Sequence, residues 1–153
     1  MRHHQSKYWA IVIFAIAIAV PLEAIAARSS SRVFGTFLNE GNILIEIDVV
    51  SQDGREGITI PLDPGHIDRT NICPGTTKLY LPSRNGEERR MLWSGPTPTP
   101  ASAPDYFEKR TRMFYFRIVA RKVVLVRPSD LTDVERRNIK GVYEVLRKDA
   151  ERR

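Results

Sequence analysis

The chain has 153 residues, 24 Lys/Arg against 18 Asp/Glu, a formal net charge of +6 and a single cysteine. One cysteine excludes an intramolecular disulfide framework, so ordinary packing must hold the fold. The positive balance is uneven: residues 28–104 hold 8 Lys/Arg against 9 Asp/Glu, and residues 105–153 hold 14 against 8, so the basic character belongs to the last third.

Arg2, His3, His4 and Lys7 precede an uncharged run from Tyr8 to Leu22, which Glu23 closes and the small-residue exit Ala24-Ile25-Ala26-Ala27 follows. This is the layout of a secretory signal peptide over residues 1–27. The run is 15 residues long, whereas a spanning helix needs about 20. Cleavage is therefore expected, with no transmembrane segment afterwards and a periplasmic or extracellular destination. Export argues against cytosolic cofactors and chromosomal DNA, so neither a cofactor nor a nucleic-acid partner is expected. Residues 28–153 then suffice for one domain with its own core.

Strand patterns dominate the first half of that domain. Val33 to Leu38 and Ile43 to Val50 are predicted strands, read as a hairpin across Asn39-Glu40-Gly41-Asn42. In the second, Ile43, Ile45, Ile47 and Val49 alternate with Glu46 and Asp48, which should face solvent. A third strand spans Gly57 to Leu62, and Pro61 assigns it to an edge or a strand end. Asp63 to Thr77 reads as a loop, rich in turn formers. Lys78 to Leu81 and Glu88 to Trp93 form a predicted hairpin about Asn85-Gly86.

Residues 95–104, Gly-Pro-Thr-Pro-Thr-Pro-Ala-Ser-Ala-Pro, predict an extended, polyproline-like crossover on the surface of one domain. Met113 to Val119 and Val123 to Val126 predict a hairpin lying centrally. Thr132 and Glu135 form the sequence pattern of a capping box. The helix they open carries an apolar stripe of Ile139, Val142, Tyr143, Leu146 and Ala150 opposite a charged face; Gly141 within it suggests close packing on the sheet. The expected fold class is α+β: an antiparallel sheet or partly open barrel of six to seven strands, with one C-terminal amphipathic helix packed on it.

Loss of the signal peptide would leave His66 as the lone histidine, which eliminates blue-copper, typical catalytic zinc and c-type haem sites. A mixed metal site would have to combine His66, Cys73 and Asp63 or Asp68. For covalent catalysis the candidates are Cys73 as nucleophile, His66 as base and Arg69 as oxyanion stabiliser, which requires an exposed, low-pKa thiol beside the imidazole. The simpler reading makes Cys73 a small buried hydrophobe. Glu46 and Asp48 share a face as a glycosidase pair would, but strand alternation alone explains them.

Lys109, Arg110 and Arg112, interleaved with aromatics, form a basic segment that Arg136, Arg137 and Lys140 extend if helix and hairpin are neighbours. Tyr80 and Trp93 are candidates for a carbohydrate platform, with burial in the core as the simpler expectation. The leading expectation is a non-catalytic, exported binding or accessory protein whose basic C-terminal surface meets an anionic envelope component or an acidic partner protein. The alternatives are a small envelope thiol enzyme and an assembly subunit that pairs through an exposed strand edge.

Overall fold

The computed structural model describes residues 32–152. The predicted signal peptide lies outside them, as do the side chains of Leu146 and Ala150. Eight strands run in chain order: β1 Val33–Asn39, β2 Ile45–Ser51, β3 Gly57–Leu62, β4 Ile67–Ile72, β5 Gly75–Leu81, β6 Arg90–Thr97, β7 Met113–Val119 and β8 Lys122–Val126. One helix, α1 Asp133–Glu151, follows. The chain is mostly β with a C-terminal helix, in two four-stranded sheets that do not close into a barrel.

The first sheet has the order β4-β1-β7-β8, and the second β3-β2-β5-β6. The second is wholly antiparallel, but β1 pairs parallel with β7, Phe37 opposite Phe116. The inner faces share one core: Phe37, Phe114, Phe116 and Ile118 from the first sheet meet Ile45, Ile47, Ile60 and Leu79 from the second. Phe37 stacks on Phe116 with ring centroids 4.5 Å apart. Strand alternation sends Tyr115 and Met113 to the opposite face, where α1 covers them.

The first two strands do not form the expected hairpin, because they belong to different sheets. Asn39, 1% exposed, holds the corner. Its Nδ2 donates to the carbonyls of Ile43 (2.9 Å) and Leu62 (3.0 Å), and its Oδ1 accepts from Gly41 N (2.9 Å). A buried amide is satisfied there without a ladder partner in β2.

The stretch expected to be loop contains β4 and the start of β5. Its polar sequence, Ile-Asp-Arg-Thr-Asn-Ile, suits an edge strand that lacks a continuous apolar face. The Pro-rich run begins inside β6, where Pro96 lies opposite Thr76; an edge strand tolerates a residue without N–H. The rest crosses to the other sheet, packing Ala103, Tyr106 and Phe107 against the core. The edge position of β3 and the two hairpins β5–β6 and β7–β8 follow the expected pairing. Of the last pair, though, only β7 is central, since β8 closes the sheet edge.

Both sheets are open, so β3, β4, β6 and β8 present edges. Two carry proline, Pro61 and Pro96, and β8 is a five-residue strand beginning at Lys122, features that discourage casual strand addition. Among the described residues no helix is long and apolar enough to cross a membrane.

Candidate functional site

The helix is locked to the first sheet at its N-terminus. Thr132 Oγ1 accepts from Glu135 N (3.2 Å) while Thr132 N donates to Glu135 Oε2 (2.6 Å), the predicted capping box. The same carboxylate receives Arg117 of β7 in a bidentate pair, 2.6 and 2.8 Å. That guanidinium, with burial opposing it and the capping bonds of Thr132 assisting, holds the Glu135 carboxyl down at about 2. Farther along, Ile139 and Tyr143 pack with Leu131 on Met113, Tyr115 and Val126. The Tyr143 hydroxyl pairs with Thr36 Oγ1 and donates to Met113 Sδ at 3.2 Å.

Facing the helix is a four-residue loop, Lys109 to Arg112, closed by Glu108 N to Met113 O (2.9 Å) and Met113 N to Glu108 O (3.2 Å). Arg112 adopts φ +58° and donates from Nε to Arg32 O at 3.2 Å. Tyr115 donates its hydroxyl proton to the Glu108 carboxylate. Burial, reinforced by that bond, pushes the Tyr115 phenol far above its ordinary value, so it stays a neutral donor.

Loop and helix enclose a groove of about 810 Å³. Its floor is Leu131, Ile139, Tyr115 and Tyr143; its rims carry Arg110, Arg136, Lys140 and Arg147 against two carboxylates, Glu108 and Glu144. Arg136 is held in place by its Nε and Nη2 bonds to the carbonyls of Leu131 (3.2 Å) and Pro128 (2.5 Å). Lys140 and Arg147 have exposed i, i+4 partners, Glu144 at 3.9 Å and Glu151 at 3.5 Å, which water screens. Four cations therefore border an apolar, phenolic floor of a size typical for ligand clefts.

Of the predicted basic residues, Arg110, Arg136 and Lys140 line this groove. Lys109 and Arg112 share the loop but do not line it, and Arg137 faces a different groove on the other flank of α1. Arg147 was missed, although it continues the spacing of Arg136, Lys140 and Tyr143 along one helix face. Tyr115 gave no signal of its own, because its strand position alone reads as core.

The catalytic candidates do not meet. His66 precedes β4 and Cys73 follows it, so the strand holds them roughly 20 Å apart at ~3.3 Å per residue. His66 Nδ1 lies 3.7 Å from Asp63 Oδ2 at the surface. Cys73 is half-buried rather than buried, and burial together with the Glu56 and Asp53 carboxylates pushes its thiol up, opposite to what a nucleophile requires. Arg69 sits mid-strand with its guanidinium over the Phe34 ring at 3.6 Å and 5.0 Å from Tyr143. The mixed metal set fails for the same reason: Cys73 is a strand's length from His66 and Asp63.

On the outer face of the second sheet, Arg89 bridges Glu46 (3.2 Å) and Asp48 (2.9 and 3.0 Å). Despite opposing burial, Arg89 and Thr59 hold the Asp48 carboxyl below its usual value. Both carboxylates are thereby engaged in a structural ion pair. Arg89 also stacks on Tyr80 at 4.4 Å, whereas Trp93 packs against the inner core. The two aromatics lie on opposite faces and form no common platform.

No protein-family model matches this chain, and neither a curated protein nor a solved structure matches it.

Proposed function

We propose that this chain is an exported, non-catalytic binding protein, and that its groove between α1 and the Lys109–Arg112 loop receives an acidic, partly apolar segment of a partner protein. The observation that carries this reading is the pairing of four rim cations, Arg110, Arg136, Lys140 and Arg147, with a floor of Leu131, Ile139 and two tyrosines. Carboxylates of an extended segment would meet the rims while its apolar side chains cover the floor. An anionic glycan offers little for Leu131 and Ile139, and a planar lipid surface matches a concave cleft poorly. The separation of Cys73 from His66 supports binding over thiol chemistry.

The test is fluorescence anisotropy with a labelled peptide alternating Glu with Leu and Phe, run beside a sulfated glycan and phosphatidylglycerol vesicles. Peptide binding should weaken at least about tenfold in Arg110→Glu/Lys140→Glu, and should fall as salt rises through ~50 to 300 mM. Binding of the glycan or the vesicles without the peptide would overturn the choice of partner. Peptide binding indifferent to both charge reversals would overturn the site.

A further inference from the structure

On the flank of α1 away from the anion groove, Val134, Asn138, Gly141 and Val145 repeat at spacings of four, three and four, which keeps them on one line of the helix. All four are exposed, Val134 at 56% and Val145 at 60%. Gly141 is the anomaly. A Cβ added there would meet nothing within 4 Å, so among the described residues the glycine serves no close approach, contrary to the packing role its sequence suggests, and yet it weakens the helix that contains it. Beside the line runs a second groove of about 500 Å³, whose wall includes Ile67, His66, Val142 and Arg137.

We propose that this face is a self-association surface on which α1 of a second copy of the chain lies antiparallel. In that orientation the line is complementary to itself. Val134 meets Val145 of the second copy, Asn138 meets its Gly141, and two-fold symmetry repeats both pairs. The missing side chain at Gly141 makes room for the Asn138 amide of the other helix. Charge agrees with the same orientation. Arg137 flanks the line and comes beside Glu144 of the second copy, twice per dimer. A parallel pairing would instead set Glu144 against Asp149 of the other helix, like against like, and leave Arg137 opposite Val142. In the antiparallel arrangement Val142 and Ile67 border the seam, so the adjoining groove is the space the second helix partly fills. The first groove uses Arg136, Lys140 and Tyr143 on the other flank and shares only Glu144 with this face, so the Val134–Val145 line itself does not rest on the reading given above, and Val145→Lys tests it without touching that groove.

Sedimentation equilibrium of the full chain over micromolar to millimolar concentrations tests the proposal. A reversible monomer–dimer equilibrium is expected. Val145→Lys should weaken it more than about tenfold, with the circular dichroism of the helix retained. Arg137→Glu and Glu144→Arg should each weaken it, and their combination should restore it, which a merely destabilised helix would not do. A chain that stays monomeric throughout would overturn the proposal. So would association that ignores Val145→Lys and both charge reversals, since the contact would then lie at a strand edge or elsewhere.

Discussion

Asn39 shows how one polar side chain can determine where the chain turns. It sits where β1 ends and the chain passes into the other sheet, buried and bonded to Ile43, Leu62 and Gly41. Its backbone is engaged as well, donating to His66 O at 3.0 Å and accepting from Gly65 N at 2.7 Å. Removing the amide leaves the buried Leu62 carbonyl and the half-buried Ile43 carbonyl short of a donor, a larger loss than one exchanged hydrogen bond. Asn39→Ala should therefore lower unfolding free energy by about 2–4 kcal/mol, read as a lower urea midpoint. Asn39→Asp should cost at least as much, because the carboxylate cannot donate to either carbonyl. Nothing in the local sequence announces this role. Asn39-Glu40-Gly41-Asn42 is a plausible hairpin turn, and only the long-range partners reveal an arch between sheets.

Among the elements, the β7–β8 hairpin carries visible strain. Its two-residue turn, Ala120-Arg121, has φ +48° and +61°, the positive values that a type I′ turn demands and that residues with a Cβ adopt at a cost. The pairing was legible because Met113 to Val119 and Val123 to Val126 are mostly apolar; the turn residues contributed nothing to the signal. Replacing Ala120-Arg121 with Asn-Gly should stabilise the protein by about 1–2 kcal/mol, seen as a raised denaturant midpoint with an unchanged slope. At the other hairpin, Asn85-Gly86 already supplies positive φ, +55° and +81°. The helix was the most legible element of all, since its capping box and its apolar period are local properties of consecutive residues. The polar edge strand β4 was the least legible, because its extended form comes from pairing with β1 and from Arg69 stacking on Phe34.

For the whole molecule, the attachment of α1 to the first sheet decides whether the groove between α1 and the Lys109–Arg112 loop exists. That attachment is pH-dependent through Glu135. Its carboxyl lies at about 2 in the fold against an ordinary 4.5, so the stability it contributes is present in full above about pH 4.5. It is lost as pH falls from there through about 2. Acid unfolding monitored by circular dichroism should accordingly begin below pH 4.5, and Glu135→Gln should flatten the curve in that window while costing roughly 2 kcal/mol at pH 7. Arg117→Met should be at least as damaging, because it leaves the Glu135 carboxylate buried without its cation. The peptide binding proposed for the groove should be lost along with the helix attachment, since one wall of the groove is α1 itself.

The amino-acid sequence alone determined the features that depend on neighbours in the chain: a β-rich domain with a capped amphipathic helix after it, strands with inward and outward faces, and basic charge concentrated near the C-terminus. Alternation at a period of two and at 3.6 expresses burial directly, and the capping box is complete within four residues. Tertiary structure alone decided which strands are partners, that there are two sheets and not one, and that β1 runs parallel beside β7. It also carried His66 and Cys73 to opposite ends of one strand and brought Arg110 of a loop opposite Arg136, Lys140 and Arg147 of the helix. Those outcomes depend on contacts between residues far apart in the chain, whose energies come from shared burial in the final packing and leave no periodic trace in the segments themselves.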